Sequence, residues 1–376
     1  MNGYHHENDI MVIKDKIKNI FDEPLHYEES IIPCKCSFGI ALMAPHVRDR
    51  KASTFLKAAD HALYMAKKNG KNTCEFYDHE LRKTITETVK MEHDLSNAAI
   101  NGELELLFQP KMFKCGIHIS GAEALLRWNS STRGTISPAI FIPMAEKTLS
   151  ILEIGKWVIE ETCAKIKKWT DQGIKVLPIA VNVSPLQMQK DDFVDHVKET
   201  LEKYDVDPAL LELEITETAL MENLALLKDK MEALAKYGVK WVIDDFGVGY
   251  SSLTRLKELP ISKIKIDRSF IAQIEVSPAS LKICKIVILL ANEFNLEIVV
   301  EGVEKPSQLN ELMLPDTAEL QGFYYSKPIN ENEFIQFSSL RQQNLTLVRE
   351  RKVIHSSVNQ TKLNNIQNEV LSCCGG

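Results

Sequence analysis

The stretch KWVIDDF, residues 240–246, is a short apolar run that ends in two adjacent aspartates. Seven similar runs lie between residue 103 and about residue 337: LELLFQP (104–110), GAEALLRW (121–128), VLPIAVNV (176–183), LLELEI (210–215), ISKIKID (261–267), LEIVVEGV (296–303) and AELQGF (318–323). Helix-length segments separate most of these runs, and strands that alternate with helices imply a mainly parallel sheet. Eight such units predict a closed (β/α)₈ barrel of the TIM type.

The connection between the first two runs is the exception to this pattern. Residues 111–120 are too few for a crossover helix, so the first two strands are predicted to form a hairpin. The expected fold class is therefore α/β, with a modified barrel whose first strand runs antiparallel.

Three segments are expected outside the barrel, which is assigned to residues 102–338. Residues 1–80 predict a small N-terminal α/β half-domain, with a strand-like run at 31–42 and helical spacing of apolar residues at 55–66. Residues 81–101 are charged and contain neither Gly nor Pro, which predicts a connecting helix. Residues 339–376 are polar and are expected to form a loosely ordered tail.

The composition argues against several classes of protein. The 52 acidic and 45 basic residues give a net charge of −7, which disfavours a broad nucleic-acid-binding face but not a local pocket for a small anion. No run approaches the roughly 20 apolar residues that span a bilayer, and no signal peptide is recognised, so a cytoplasmic location is expected. The eight cysteines include no C-x-x-C pair, and Cys373-Cys374 is a poor match to a prenylation signal.

Acidic and amide residues stand at or near the C-terminal ends of five of the runs. In a (β/α)₈ barrel these ends meet on one face, where active sites are built. Two like charges about 4 Å apart repel by roughly 4 kcal/mol at an effective dielectric near 20, so such a cluster needs cations. The residues concerned are Glu123, Asn182, Glu214, Asp244, Asp245 and Glu301.

The ligand types favour a site for two divalent metal ions. Carboxylate and amide oxygens suit Mg²⁺ or Mn²⁺ better than Zn²⁺. Because Asp244 and Asp245 are adjacent, one carboxylate can bridge two ions while the other reaches only the second. A pair of metal ions of this kind stabilises an in-line displacement at phosphorus.

Lys265 lies in KIKID, where alternation places Lys263, Lys265 and Asp267 on one face of the strand. If Lys265 points inward, it lies beside the acids and orients or helps to deprotonate a water. A role as one more counter-ion in the cluster is an alternative, and the two roles are compatible. The chain contains no P-loop, H-E-x-x-H or G-x-S-x-G motif, which argues against P-loop NTPases, zincins and α/β-hydrolases.

Seven motifs occur in a characteristic order: GAEALLRW (121–128), VNVSP (181–185), LELEITET (211–218), DDFGVGYSSL (244–253), KIKID (263–267), EGVE (301–304) and QGFYYSKP (321–328). Together they resemble the EAL-domain family. The resemblance implies a cyclic di-GMP phosphodiesterase that opens one phosphodiester to give linear pGpG. It also implies a homodimer and two Mg²⁺ or Mn²⁺ ions, and Ca²⁺, which prefers looser coordination, is expected to inhibit.

The resemblance assigns metal ligands in two groups. The first ion would be held by Glu123, Asn182, Glu214 and Asp244. The second would be held by Asp244, Asp245 and Glu301.

The resemblance assigns further roles to other positions. Lys265 matches a catalytic lysine and Gln321 a residue that helps to position water, so the expected catalytic residues are Lys265, Glu301, Asp245 and Gln321. Gln109 and Arg127 match substrate contacts, and the planar fork of Arg127 suits a phosphate. Glu217 matches a glutamate that braces the loop after Asp245, and Glu304 matches a supporting acid.

Three differences from the family pattern leave these ligands in place. Val248 and Leu149 stand where the family usually has Thr and Gly, and MLPDTAELQGF lacks the usual Gly-Cys. Separately, CSFGIAL (36–42) and LKAADHALYMAKKNGKN (56–72) resemble the second half of a GGDEF diguanylate cyclase domain, with Lys67 and Lys71 at phosphate-contacting positions. The GGDEF signature itself is absent and the segment is too short. We therefore expect a truncated, regulatory or dimerising remnant without cyclase activity.

Two alternatives to hydrolysis remain open on the sequence. The first is a non-catalytic sensor or scaffold that binds cyclic di-GMP in the same pocket. The second is an unrelated metal-using barrel, such as an enolase-like lyase, which explains the acids but not the ordered motifs. Retention of Glu123, Asp245, Lys265 and Glu301 favours the hydrolase over the sensor.

Overall fold

The computed structural model describes residues 7–339, except 23, 28–29, 33–34, 42–50, 69, 71, 78, 223 and 250–255. The chain forms two compact units, Met1–Asp94 and Leu95–Gly376. Nearly all of the predicted polar tail, including Cys373-Cys374, lies outside the described residues, as does the end of DDFGVGYSSL. No helix in the described ranges is long and apolar enough to cross a bilayer.

The N-terminal unit is α/β, as predicted. Its elements are α1 (Glu7–Asp22), β1 (Leu25–Tyr27), β2 (Ser30–Ile32), β3 (Phe38–Ala41), α2 (Ala52–Lys68), β4 (Cys74–Tyr77) and most of α3 (His79–Asn97). β1 and β2 form an antiparallel hairpin, whereas β3 and β4 pair in parallel on either side of α2. The strand expected across 31–42 is thus two separate strands. Ala58 and Ala62 of α2 pack against Tyr77. Ala62 and Ala66 of the predicted apolar face are buried, whereas Leu56, which the helical spacing also placed on that face, is 67% exposed.

The second unit contains the barrel and its helices. Its elements in order are β5 (Leu104–Phe113), β6 (Ile119–Ser130), β7 (Gly134–Ile136), α4 (Pro138–Thr148), α5 (Ile151–Asp171), β8 (Ile179–Asn182), α6 (Pro185–Met188), α7 (Phe193–Lys203), β9 (Leu211–Thr216), α8 (Glu217–Glu222), α9 (Leu224–Tyr237), β10 (Lys240–Phe246), β11 (Ile261–Ile266), α10 (Arg268–Ala272), α11 (Pro278–Glu293), β12 (Glu297–Val300) and β13 (Glu319–Leu320). Short 3₁₀ helices cover Pro208–Leu210 and Pro306–Leu309, and residues 331–339 are helical.

Eight of these strands close into a barrel in the order β5-β13-β12-β11-β10-β9-β8-β6, and β6 pairs back to β5. β5 is antiparallel to both of its neighbours, while every other pair around the barrel is parallel. The modified barrel with an antiparallel first strand is therefore confirmed, and each predicted run contains one barrel strand. β7, which the sequence reading missed, extends the sheet outside the closed barrel by pairing with β6.

An aromatic cluster packs the barrel wall against its outer layer. The ring centroids of Phe108 and Trp169 lie 5.1 Å apart, and each lies 5.5 Å from the ring of Phe334. All three side chains are buried. Such aromatic pairs stabilise a fold by about 0.5–1.5 kcal/mol each, in addition to the gain from burying their surface. These contacts pack the helix at residues 331–339 against β5 and α5.

The interior of the barrel differs from the branched apolar layers that fill most barrels of this type. Four charged side chains from the strands β5, β9, β11 and β13 meet there, and all four are buried: Lys111, Glu212, Lys263 and Glu319. The alternation in LELE and KIKI places two charged residues on one face of each strand. In each strand, only the residue nearer the C-terminal end, Glu214 or Lys265, was predicted to belong to the site. The core beneath the site is therefore ionic.

Candidate active site

The acids that end the barrel strands converge on the ammonium group of Lys265. Its Nζ lies 2.6 Å from Glu214 Oε2, 2.6 Å from Glu301 Oε1, 3.2 Å from Asp244 Oδ1 and 3.4 Å from Glu123 Oε2. Lys265 is fully buried on β11, so its charge is screened from water and shared among four carboxylates. The structure thus brings together residues that lie up to 178 positions apart, from Glu123 on β6 to Glu301 after β12.

Asp245 joins this cluster through an unusual backbone conformation. Neighbouring residues of a regular strand point to opposite faces, so two adjacent aspartates would not share one site. Asp245 has a φ of 54°, in the left-handed region, and its N–H donates a 2.9 Å hydrogen bond to Asp244 Oδ1. The register between β10 and β11 is irregular at the same place. Such conformations cost about 1–3 kcal/mol for a residue with a side chain and cluster at functional sites.

The resulting arrangement offers a group of metal ligands. Asp244, Asp245 and Glu301 each present one oxygen within 4.8 Å of those of the other two. Glu301 follows β12 directly, and Gly302 turns the chain away with a φ of 69°. A Cβ at Gly302 would lie 2.6 Å from Cβ of Arg268, so both the conformation and the space require glycine there.

Amide side chains hold Glu123 in place. Asn182 Nδ2 donates to Glu123 Oε1 and Gln321 Nε2 donates to Glu123 Oε2, both at 2.7 Å. Gln321 also donates to Gln109 Oε1 at 3.1 Å. Asn182 ends β8 because Ser184 caps the next helix, which begins with Pro185. Four predicted site residues from four strands therefore form one hydrogen-bonded group.

Burial and mutual repulsion shift the pKa values of the acids. Burial raises the pKa of Glu214 to about 8, that of Glu301 to about 7 and that of Asp245 to about 6, and neighbouring carboxylates add to each shift. Burial also opposes ionisation of Glu123, but Lys265 and the donated hydrogen bonds leave its pKa lowered. Burial likewise opposes the charge on Lys265, yet the surrounding carboxylates raise its pKa well above the ordinary value. One ammonium group therefore does not fully neutralise the cluster.

The donor set fits a divalent cation. The ligands are oxygens of carboxylates and one amide, which are those that Mg²⁺, Mn²⁺ and Ca²⁺ prefer. Buried Oε1 of Glu214 accepts no hydrogen bond from any residue that the structure describes, so it has bonding capacity to spare. The excess negative charge also favours a cation.

A cavity of about 460 Å³ opens above the cluster, within the range of small-molecule sites. Eight predicted site residues line it: Gln109, Glu123, Asn182, Asp244, Asp245, Glu301, Glu304 and Gln321. It is also lined by residues that the sequence prediction did not assign to the site, including Leu125, Asp267, Arg268 and Phe323. Asp267 was detectable, because the alternation in KIKID put it on the same face as Lys265.

Glu217 and Arg127 lie outside the cavity lining. Buried Glu217, the first residue of α8, accepts a 2.8 Å hydrogen bond from the N–H of Gly247 in the loop after Asp245. The guanidinium of Arg127 donates to the carbonyl of Leu126 at 2.9 Å. That Arg127 contacts a phosphate therefore stays a prediction. Arg268 lines the cavity, but no motif or pattern in the sequence assigned it to the site.

Comparison with known proteins agrees with this geometry. Residues 92–328 match the family model described as the EAL domain. The chain is 36% identical to the signaling protein YkoW of Bacillus subtilis (strain 168), over 87% of this chain and 40% of that protein. It is 35% identical to the bifunctional diguanylate cyclase/cyclic di-GMP phosphodiesterase MucR of Pseudomonas aeruginosa, over 87% of this chain and 47% of that protein. The chain thus spans less than half the length of these curated relatives.

Solved structures give the same result. The PaMucR phosphodiesterase in complex with c-di-GMP aligns with a TM-score of 0.62 and 39% identity, over 65% of this chain and 99% of that one. The EAL enzyme Bd1971, bound to cAMP and cyclic-di-GMP, aligns with a TM-score of 0.63 and 31% identity, over 68% of this chain and 70% of that one. This chain belongs to the EAL domain family.

Proposed function

We propose that this chain hydrolyses cyclic di-GMP to linear pGpG with the help of two Mg²⁺ or Mn²⁺ ions. The observation that carries the proposal is the convergence of four carboxylates on Lys265, with Asp245 beside them, at the floor of a 460 Å³ cavity. MucR and PdeR, which are similar to this chain, are named as cyclic di-GMP phosphodiesterases, and PaMucR is solved with c-di-GMP. The family and the site therefore support the same chemistry.

The proposed ligands fall into the two groups that the family resemblance implies. Glu123, Asn182, Glu214 and Asp244 would hold the first ion, and Asp244, Asp245 and Glu301 the second. The 4.8 Å grouping of Asp244, Asp245 and Glu301 supports the second set. The hydrogen bond between Asn182 and Glu123 supports the first, because it places both ligands side by side. When bound, the ions supply charge stabilisation at phosphorus and activate water.

The protein's own groups supply positioning and proton handling. As a counter-ion, Lys265 keeps a positive charge at the floor of the site and holds four acids in one orientation. In its proposed catalytic role, Lys265 orients a water molecule. Gln321 bonds to Glu123 and Gln109, and its Oε1 accepts no hydrogen bond from the described residues, so it is available to a water. Gln109 and Arg127 are proposed to contact the substrate. Glu217 and Glu304 are proposed to support the loops around it.

The direct test is a turnover assay on the full chain with cyclic di-GMP and, in turn, Mg²⁺, Mn²⁺ and Ca²⁺. We expect pGpG with Mg²⁺ or Mn²⁺, inhibition by Ca²⁺, and no product from Glu123→Ala. Glu105→Ala is the matched control, since Glu105 is an exposed glutamate on the adjacent strand. Binding of cyclic di-GMP without product under either metal would contradict hydrolysis and favour the sensor.

Other expectations stay predictions. A homodimer is tested by light scattering on the purified chain, where a monomer with full activity would contradict it. Because the GGDEF signature is absent from the sequence, we expect no synthesis of cyclic di-GMP from GTP. The cytoplasmic location is likewise a prediction.

A further inference from the structure

A second cluster of charges lies inside the barrel, directly below the acids that surround Lys265. Lys111 Nζ lies 3.0 Å from Glu212 Oε2, and Lys263 Nζ lies 2.8 Å from Glu212 Oε1 and 2.6 Å from Glu319 Oε1. All four side chains are buried. Two cations and two anions thus balance one another, which offsets the cost of burying them.

One contact connects this lower cluster to the site. Lys111 Nζ lies 3.6 Å from Oε1 of Glu214, the same oxygen that accepts no hydrogen bond from the described residues. The other oxygen of Glu214 faces Lys265, whose charge is shared with three further carboxylates. Lys111 is therefore the second cation that faces Glu214. Lys263 pairs with Glu212, Glu297 and Glu319 and, within the described residues, forms no ion pair with Glu214.

Glu214 is fully buried, so its orientation depends on the groups that face it. A buried carboxylate without access to water keeps one orientation only where nearby groups pair with it. A carboxylate turned away from the site is a poor ligand for a hard divalent ion. Partners that hold a metal ligand in place typically change metal affinity or activity 10–100-fold when they are removed.

We propose that Lys111 is a positioning residue that holds the carboxylate of Glu214 from below, in the orientation in which it would bind a metal ion. The inference rests on the metal site of the proposed function. It assigns to Lys111 a role that Lys263, its neighbour in the same cluster, does not have.

A charge-balanced pair of variants tests this difference. Lys111→Met with Glu212→Gln removes the cation that faces Glu214, and Lys263→Met with Glu212→Gln removes the other cation. Each pair deletes one buried cation and the same buried anion. Mn²⁺ binding to the full chain, without substrate, is followed through the electron paramagnetic resonance signal of free Mn²⁺, and thermal melts of the apo proteins report folding.

We expect the Mn²⁺ dissociation constant to rise about 10–100-fold in the Lys111 pair and to stay unchanged in the Lys263 pair. Equal affinities in two folded pairs would overturn the role of Lys111 while leaving the proposed function standing. Failure of the unaltered chain to bind Mn²⁺ would overturn the metal site itself, and the role of Lys111 with it.

A second set of variants covers the case in which the double variants do not fold. Lys111→Arg and Lys263→Arg keep every charge, but a guanidinium spreads its charge over a plane and cannot occupy the point beside Glu214 that an ammonium does. We expect weaker Mn²⁺ binding only in Lys111→Arg. Equal binding in both arginine variants would contradict the proposal.

Discussion

The N–H of Gly247 donates a 2.8 Å hydrogen bond to Oε2 of Glu217. This bond ties the loop that follows Asp245 to the beginning of the helix after β9, and Glu217 is only 1% exposed. The other carboxylate oxygen lies so close to Gly249 that a Cβ there would approach it to 2.9 Å. A single buried carboxylate therefore lies against two glycines of the loop that follows Asp245.

The first prediction tests this bond. Glu217→Ala leaves the Gly247 N–H without its acceptor, a loss of about 1–3 kcal/mol. Because 1.4 kcal/mol corresponds to a factor of ten, we expect turnover of cyclic di-GMP to fall about tenfold or more. Glu217→Gln keeps a carbonyl oxygen in place and should retain most of the activity. Equal turnover in Glu217→Ala and the unaltered chain would show that the loop does not depend on this bond.

The second prediction concerns Arg268. It is the only cation among the described residues that line the cavity, which also contains six acids. A cyclic dinucleotide brings two negative charges into this acidic cavity. An arginine in the cavity wall should therefore contribute more to substrate binding than to the reaction step. We expect Arg268→Ala to raise KM about tenfold with little change in kcat, as for loss of a charge-assisted hydrogen bond.

Steady-state kinetics with cyclic di-GMP measure that effect. Arg133→Ala is the control, because Arg133 lies in the turn between β6 and β7 and does not line the cavity. A fall in kcat with an unchanged KM would instead assign Arg268 to the reaction step.

The third prediction concerns Leu149, which stands where the family usually has glycine. Leu149 caps α4 with a φ of 61°, and its side chain is 53% exposed. A left-handed residue with a Cβ costs about 1–2 kcal/mol, while glycine costs about 0.5–1 kcal/mol in unfolded-state entropy. We therefore expect Leu149→Gly to raise the free energy of unfolding by about 0.5–1 kcal/mol.

Urea denaturation of the full chain measures that change. Leu149→Ala keeps the Cβ and should give no such gain. A destabilised Leu149→Gly variant would mean that the half-exposed leucine side chain contributes more through packing than its conformation costs.

The fourth prediction uses the pH dependence of stability. Glu331 accepts hydrogen bonds from Lys165 at 2.8 Å, Lys168 at 2.7 Å and Trp169 at 3.0 Å. Burial opposes its ionisation, but these donors lower the pKa of Glu331 from 4.5 to about 2. A lowered folded-state pKa stabilises the fold above pH 4.5, and this contribution is lost as the pH falls from 4.5 towards 2.

Glu331→Gln should therefore lower the free energy of unfolding by about 1–3 kcal/mol at pH 7, and the deficit should shrink at pH 3. Urea denaturation at the two pH values measures both numbers. Glu333→Gln is the matched control, because Glu333 is an exposed glutamate two residues away. A deficit of equal size at pH 7 and pH 3 would show that the carboxylate charge is not the source of the stability.

The sequence by itself determined the barrel and the composition of its mouth. Apolar runs of strand length, separated by helix-length segments, indicate parallel strands, and a connection too short for a helix indicates the antiparallel first pair. Because strand ends in such a barrel share one face, Glu123, Glu214, Asp244 and Glu301 were predicted to meet, and they do around Lys265.

Only the tertiary structure decided which side chains of those strands share a site. Strand alternation alone would separate Asp244 from Asp245, and the left-handed backbone at Asp245 reverses that. The guanidinium of Arg127 donates to the neighbouring carbonyl of Leu126, whereas Arg268 lines the cavity. Lys111 lies 3.6 Å from Glu214, which is 103 positions away in the sequence. These contacts depend on strand register, local φ angles and closure of the sheet, which are set by packing between residues distant in the chain rather than by any local pattern.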